Sequence, residues 1–120
     1  MWRLIGITLP QYKDWEKEKQ IIKTLLQNNE IEYFHIRKPV FTSMQMSLWL
    51  EDLPLAIRKR LSLHDCLEVA KEFQIGGVHL NKRNNYTSPF AFEGRISRSC
   101  HSIEEVKEWK PKCDYVFLSP

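Results

Sequence analysis

Apolar residues along this chain fall into two patterns. Short apolar runs predict strands, and longer stretches with apolar spacings of three and four predict helices. The runs are Arg3–Leu9, Ile31–Lys38, Arg60–Leu63, Val78–Leu80, Arg95–Cys100 and Tyr115–Leu118. Between the first two, Asp14 is placed to cap a helix from Trp15 to Asn28, with Asn28-Asn29 as its stop. Its spacing turns Trp15, Ile21 or Ile22, Leu25 and Leu26 inward and leaves Lys17, Glu18, Lys19 and Lys23 in water. Thr42 or Ser43 opens a helix carrying Met44, Leu48, Trp49 and Leu53. Pro54 predicts a break there, followed by a short turn through Leu55, Ala56 and Ile57. Asp65, with Glu68 three residues later, predicts a capped helix that turns Leu67, Val69, Ala70 and Phe73 inward. Gly76-Gly77 is expected to end it in the left-handed conformation. Ser102 and Glu105 form a second capping-box pattern, opening a helix with Ile103, Val106 and Trp109 that Pro111 closes. Residues 81–94 hold Asn, Arg, Ser, Pro and Gly without helical period, which predicts a long loop over the top of the sheet.

Strand follows helix throughout, which means a parallel sheet with helices outside it. Flavodoxin-like and barrel folds both fit this rhythm. Arg60–Asn84 reads as one strand–helix–strand unit whose strands are parallel neighbours joined by a right-handed crossover. That puts His64, Asp65, Asn81 and Lys82 at the same ends of two strands, the carboxyl ends, where parallel sheets bind ligands. The last run, YVFLS, is a strand with no return helix after it. Parallel strands are normally covered on both faces. The expectation is therefore a single domain over 1–120 that forms the front part of a longer protein.

Composition narrows the class of partner. The chain has 120 residues, is 42% hydrophobic and carries a formal net charge of +3. Its basic residues form no run of five, and Arg58-Lys59-Arg60 reads as a solvated helix end, so nucleic acid is not an expected partner. No segment approaches the ~18 consecutive apolar residues of a membrane span, so no membrane partner is expected either. The opening MWRLIGITLPQY lacks the apolar core of a secretory signal. Cys66, Cys100 and Cys113 are odd in number and form no CxxC pair. They suit a reducing, cytoplasmic setting as small core fillers, and their spacing does not suit zinc.

At FHIRK, LHD, GGVHL, SRSCHSIEEV and CDYVFLSP the chain resembles the thiamine phosphate synthase and thiazole tautomerase (TenI-type) superfamily. The motifs occur in that family's order and spacing from Leu4 to Pro120. The resemblance implies an α/β fold of the TIM (β/α)8-barrel type, here a truncated barrel of about six strands. It also implies an enzyme of thiamin biosynthesis acting on thiazole phosphate. In the synthase branch, Gln-x-Arg-x-Lys after strand 2 grips a pyrimidine diphosphate. Here His35 replaces the Gln, Arg37 is kept, and Pro39 takes the Lys position with Lys38 one residue off. That branch has Asn-Asp after strand 3, with the Asp on Mg2+, and a second metal Asp after strand 4. The matching positions here are His64-Asp65 and Asn84, and an amide is a poorer magnesium ligand than a carboxylate. The tautomerase branch has His-Ile-Arg after strand 2 and Arg-Ser-x-His after strand 5. This chain has both, His35-Ile36-Arg37 and Arg98-Ser99-Cys100-His101.

The tautomerase-like reading is the expectation, with His101 shuttling the proton, since histidine both takes and gives protons near neutral pH. Thiamine phosphate synthase is the alternative, and a non-catalytic fragment without the phosphate loops after strands 7 and 8 is the third reading. His35, Arg37, Lys38, His64 and Ser99 are the expected substrate contacts. Asp65 and Asn84 are the magnesium positions of the synthase alternative, and Asp65 is equally explained as a helix cap. His79 reads as a hydrogen-bonded core histidine. The partners implied are a phosphorylated thiazole and, for the synthase, a pyrimidine diphosphate. Assembly into a homo-oligomer is left open.

Overall fold

The structure, a computed structural model, describes residues 4–84 and 92–119. Strands β1 (Ile5–Ile7), β2 (Tyr33–Ile36), β3 (Leu61–Leu63), β4 (Gly77–Leu80), β5 (Arg95–Cys100) and β6 (Tyr115–Leu118) form one sheet. They lie side by side in chain order, every pair parallel. This is a curled half-barrel. Its outer face carries α1 (Trp15–Gln27), α2 (Ser43–Leu50), α3 (Leu55–Arg58) and α4 (Ile103–Trp109). Phe34, Ile36, Leu61, Leu63, Val78 and Leu80 point outward from the sheet and pack with Ile22, Leu26, Trp49 and Leu50 into one core. The alternate residues point into the concave side.

Asp14 caps α1 through Lys17 N, and Asn29, at φ 57°, supplies the left-handed residue after it. The buried side of α1 differs from the periodic reading. Ile22 and Leu26 are buried, but Ile21 is 45% exposed while Glu18 and Lys19 are 6% and 3% exposed. The reason is a polar network beneath the helix. Glu18 accepts from Lys38 Nζ at 2.6 Å and from Trp49 Nε1 at 3.3 Å. Lys19 Nζ donates to Trp49 O at 3.3 Å and to Asp52 at 2.9 Å. In α2, Thr42 and Gln45 close a reciprocal capping box. Met46, Trp49 and Leu50 form its buried side and Leu53 is buried just past its end, whereas Met44 and Leu48, two of the four apolar residues named for the predicted helix, are exposed. Pro54 caps α3, so the chain breaks where expected.

The segment between β3 and β4 departs furthest from expectation. Asp65 caps no helix, because its carboxylate accepts from Lys38 N and from Arg83. Cys66, at φ 55°, turns the chain, and only a single 3-10 turn, Leu67–Val69, follows. The left-handed residue at its far end is Gln74, at φ 54°, and no glycine has positive φ. Gly76 is needed for space instead, since a Cβ there would lie 1.8 Å from Lys59 O. Ser102 caps α4 by accepting from Glu105 N, while the Glu105 carboxylate reaches His101 N rather than closing the box. Of the expected loop over 81–94, positions 85–91 lie outside the described residues. Cys100 is buried and Cys66 and Cys113 half-buried, all three as free thiols. Among the described residues no helix is long and apolar enough to cross a membrane.

Candidate active site at the strand ends

The concave face is filled by polar and aromatic side chains in layers. Near the amino ends of the strands, Arg95 lies over the Tyr33 ring at 3.9 Å and donates to the carbonyls of Lys59 and Leu61. Further along the strands the rings of His35, His79 and Phe117 meet one another, with His64 stacked on His79 and Ser97 and Ser99 beside it. His35 Nδ1 meets His64 Nε2 at 2.7 Å, and His35 Nε2 meets Tyr115 Oη at 2.7 Å. His79 bonds Ser97 Oγ and Ser99 Oγ, each at 2.7 Å. His35 and His79 are fully buried and His64 nearly so. Burial is the main cause that holds all three neutral. It lowers His35 to about 3 and His79 to about 4. His64 falls to about 2, with the charges of His79, His35, Arg83 and Arg37 adding to its burial.

One ring nitrogen from each of these three histidines lies within 4.8 Å of the others. A histidine-bound metal sits about 2.0–2.1 Å from nitrogen, along the lone pair and so in the plane of the ring. The rings of His64 and His79 are stacked, with centroids 4.1 Å apart and planes 16° apart. No point at bonding distance lies in both planes, so the trio is a hydrogen-bonded polar layer in this geometry rather than a metal cradle.

The rim above this layer is built by the carboxyl ends of β2 to β5. Arg37 follows β2 on the same side as His35, its backbone pinned to Thr8 through Arg37 N and Arg37 O. Lys38 points the other way, beneath α1. It is 1% exposed, with its ammonium on Glu18 and on Leu9 O. Asp65, 9% exposed, accepts from Arg83 Nε at 3.2 Å and Nη2 at 3.0 Å through one oxygen. Its other oxygen accepts from Arg83 Nη2 at 3.2 Å and Lys38 N at 2.8 Å. Asn84 Nδ2 donates to the carbonyls of His64 and His79, stapling the ends of β3 and β4, and its Oδ1 faces Asn81 N. Asn81 Oδ1 in turn accepts from Arg83 N and Asn84 N, a side-chain turn that fixes where Arg83 stands. Ser99 is held by His79. His101 is exposed just past β5, with Nδ1 3.1 Å from Ser119 O. The structure thus gathers His35, His64 and Ser99 into the concave layers and Arg37, Asp65, Asn84 and His101 along the rim, and sends Lys38 elsewhere.

The magnesium pair of the synthase pattern does not fit these residues as they stand. A magnesium ion needs carboxylate oxygens free to face it. Both oxygens of Asp65 are occupied by Arg83 and Lys38 N, and Asn84 offers only a neutral amide oxygen, which faces Asn81 N. Arg83 is the rim residue that sequence reasoning passed over. It sat in a stretch taken for loop, and the signal available was the Asn81-Lys82-Arg83-Asn84 pattern, since Asn favours side-chain turns.

Parallel strands in simple order with helices outside define a barrel-type α/β protein, a class whose members bind ligands at the carboxyl ends of the strands. Among solved structures, thiamine phosphate pyrophosphorylase from Bacteroides thetaiotaomicron is similar to this chain at 36% sequence identity, with a TM-score of 0.86. The match covers 99% of this chain and 58% of that one, so the chain spans a little over half the length of that relative. No protein-family profile matches the chain, and no curated protein does. The likeness bears out the resemblance to the thiamine phosphate synthase and TenI-type superfamily, and the six-stranded half-barrel is that fold in part.

Proposed function

We propose that the chain serves thiamin biosynthesis through synthase-type chemistry, joining hydroxymethylpyrimidine diphosphate to thiazole phosphate with release of diphosphate. The observation that carries this is the 36% identity, over 99% of the chain, to a thiamine phosphate pyrophosphorylase. The rim supports it, since displacing a diphosphate needs cationic groups at the departing oxygens. Arg37 and Arg83 stand at the strand ends, and planar guanidinium forks suit phosphate oxygens. In this reading His64 and Ser99, held by the layer beneath them, contact the pyrimidine. His35 supports them from below.

The tautomerase reading keeps one observation in its favour. His101 is exposed at the rim, and its Nε2 makes no hydrogen bond among the described residues. An imidazole so placed can take a proton from one ring position and return it to another. The two readings differ in product. Incubation with both substrates should yield thiamine phosphate and pyrophosphate. If none forms, and the chain instead isomerises carboxythiazole phosphate supplied as its non-aromatic tautomer, an activity that His101→Ala abolishes, the tautomerase reading replaces the first.

A further inference from the structure

We propose that the rim binds a phosphate or diphosphate group without a divalent cation, Arg83 standing at Asp65 where the synthase pattern puts a metal ion. This rests on the synthase-type reading for the identity of the phosphorylated substrate.

Three observations converge on it. The Asp65 carboxylate, the one acidic position of the metal pair retained here, is gripped by Arg83 through Nε and Nη2 and by Lys38 N. A metal ion would have to displace a charge-assisted fork from a nearly buried acid. Second, the partner position is Asn84, a neutral amide whose oxygen faces Asn81 N and whose amino group is tied to the carbonyls of His64 and His79. Loss of one metal carboxylate and capture of the other by an arginine are complementary changes. Third, cationic donors remain after these bonds are made. Arg83 is exposed, and its Nη1 takes no hydrogen bond among the described residues; the Arg37 guanidinium likewise has no hydrogen bond or ion pair among them.

The two cations belong to one site. Asp65 holds Arg83 on one side and the backbone N–H of Lys38, the residue after Arg37, on the other. Both guanidinium charges are near enough to His64 to act on its ring. Two guanidinium groups beside one carboxylate leave a net positive rim. Asp65 neutralises part of Arg83 but also fixes its plane, leaving one amino group to face a ligand oxygen. Arg37 brings a complete fork.

The test is calorimetric titration of the 120-residue chain with inorganic pyrophosphate, first in EDTA and then in excess Mg2+. Equal affinity in the two conditions is expected. Arg83→Met and Arg37→Gln should each weaken binding about tenfold, the scale of one charge-assisted contact. Arg83→Asp, which adds a carboxylate and frees Asp65, should make binding magnesium-dependent. If pyrophosphate binds the unsubstituted chain only with Mg2+, the inference is overturned and the synthase-type reading survives. If it binds under neither condition, both are overturned. Unchanged affinity in folded Arg83→Met also overturns it. Should that variant fail to fold, the EDTA comparison and Arg37→Gln, a substitution on the open rim, still decide.

Discussion

Three buried imidazoles, His35, His64 and His79, fill the concave side of the sheet and are held neutral chiefly by burial. Their neutrality couples folding to pH. In the unfolded chain each titrates near 6.5, and in the fold each lies well below that value. Above pH 6.5 both states are neutral and the histidines contribute no slope. Below it the unfolded chain takes up protons that the folded chain refuses, so stability falls as pH falls, for His79 down to about 4, for His35 to about 3 and for His64 to about 2. The slope should approach 1.4 kcal/mol per pH unit for each histidine kept neutral, roughly one proton's worth. Urea midpoints measured at pH 7.5 and 5.5 should drop markedly, and His79→Gln should flatten the dependence. A midpoint constant over that range would mean that the imidazoles are not buried as described. At this scale the sequence was half legible. Strand alternation placed His35 on the side of Arg37, and His79 sits buried and hydrogen-bonded as a core histidine would. That Lys38 would turn under α1 to meet Glu18 was hidden, because a local pattern cannot show a partner 20 residues away.

Glycine at the end of a helical pattern is ordinarily a conformational signal, and the β3–β4 connection shows a second use. Gly76 and Gly77 lie where β4 enters the sheet against the neighbouring backbone. A Cβ on Gly76 would lie 1.8 Å from Lys59 O, main chain that a side-chain rotation cannot relieve. A Cβ on Gly77 would lie 2.3 Å from Ser62 Oγ, a side-chain atom. Gly76→Ala should therefore cost upwards of about 3 kcal/mol in a urea titration, the top of the overpacking range. Gly77→Ala should cost less and be largely restored by Ser62→Ala. Equal losses for the two, or rescue of Gly76→Ala by trimming a side chain, would refute the steric account. The order of the strands and of the helices outside the β3–β4 connection was legible, because short apolar runs and caps at Asp14, Thr42 and Ser102 are local signals. The segment after β3 was not. Asp65 and Glu68 have the spacing of a capping box, but a cap is worth only about 1 kcal/mol. The charge-assisted fork to Arg83 and the bond from Lys38 N outweigh it.

Across the molecule, the rim runs from β2 to β5, with Arg37 following β2 and the Arg83 guanidinium held on Asp65 after β3. In barrels of this class the customary phosphate site is made by loops after strands 7 and 8. The six described strands supply the other part of the rim, and the similar pyrophosphorylase is longer than this chain. The two phosphorylated substrates of the proposed reaction should then bind this chain unequally. Pyrophosphate, standing in for the pyrimidine diphosphate, should meet Arg37 and Arg83. Thiazole phosphate should find fewer donors and bind at least about tenfold more weakly here than to the full-length pyrophosphorylase, a difference of one good phosphate contact or more. Calorimetry with each ligand on the 120-residue chain and on that relative measures this directly. Equal affinity of the two proteins for thiazole phosphate would mean that the described strands already hold its phosphate. His101 on the rim and Ser99 in the layer beneath it, the polar groups at the end of β5, would then be the first donors to substitute, because they lie next to β6.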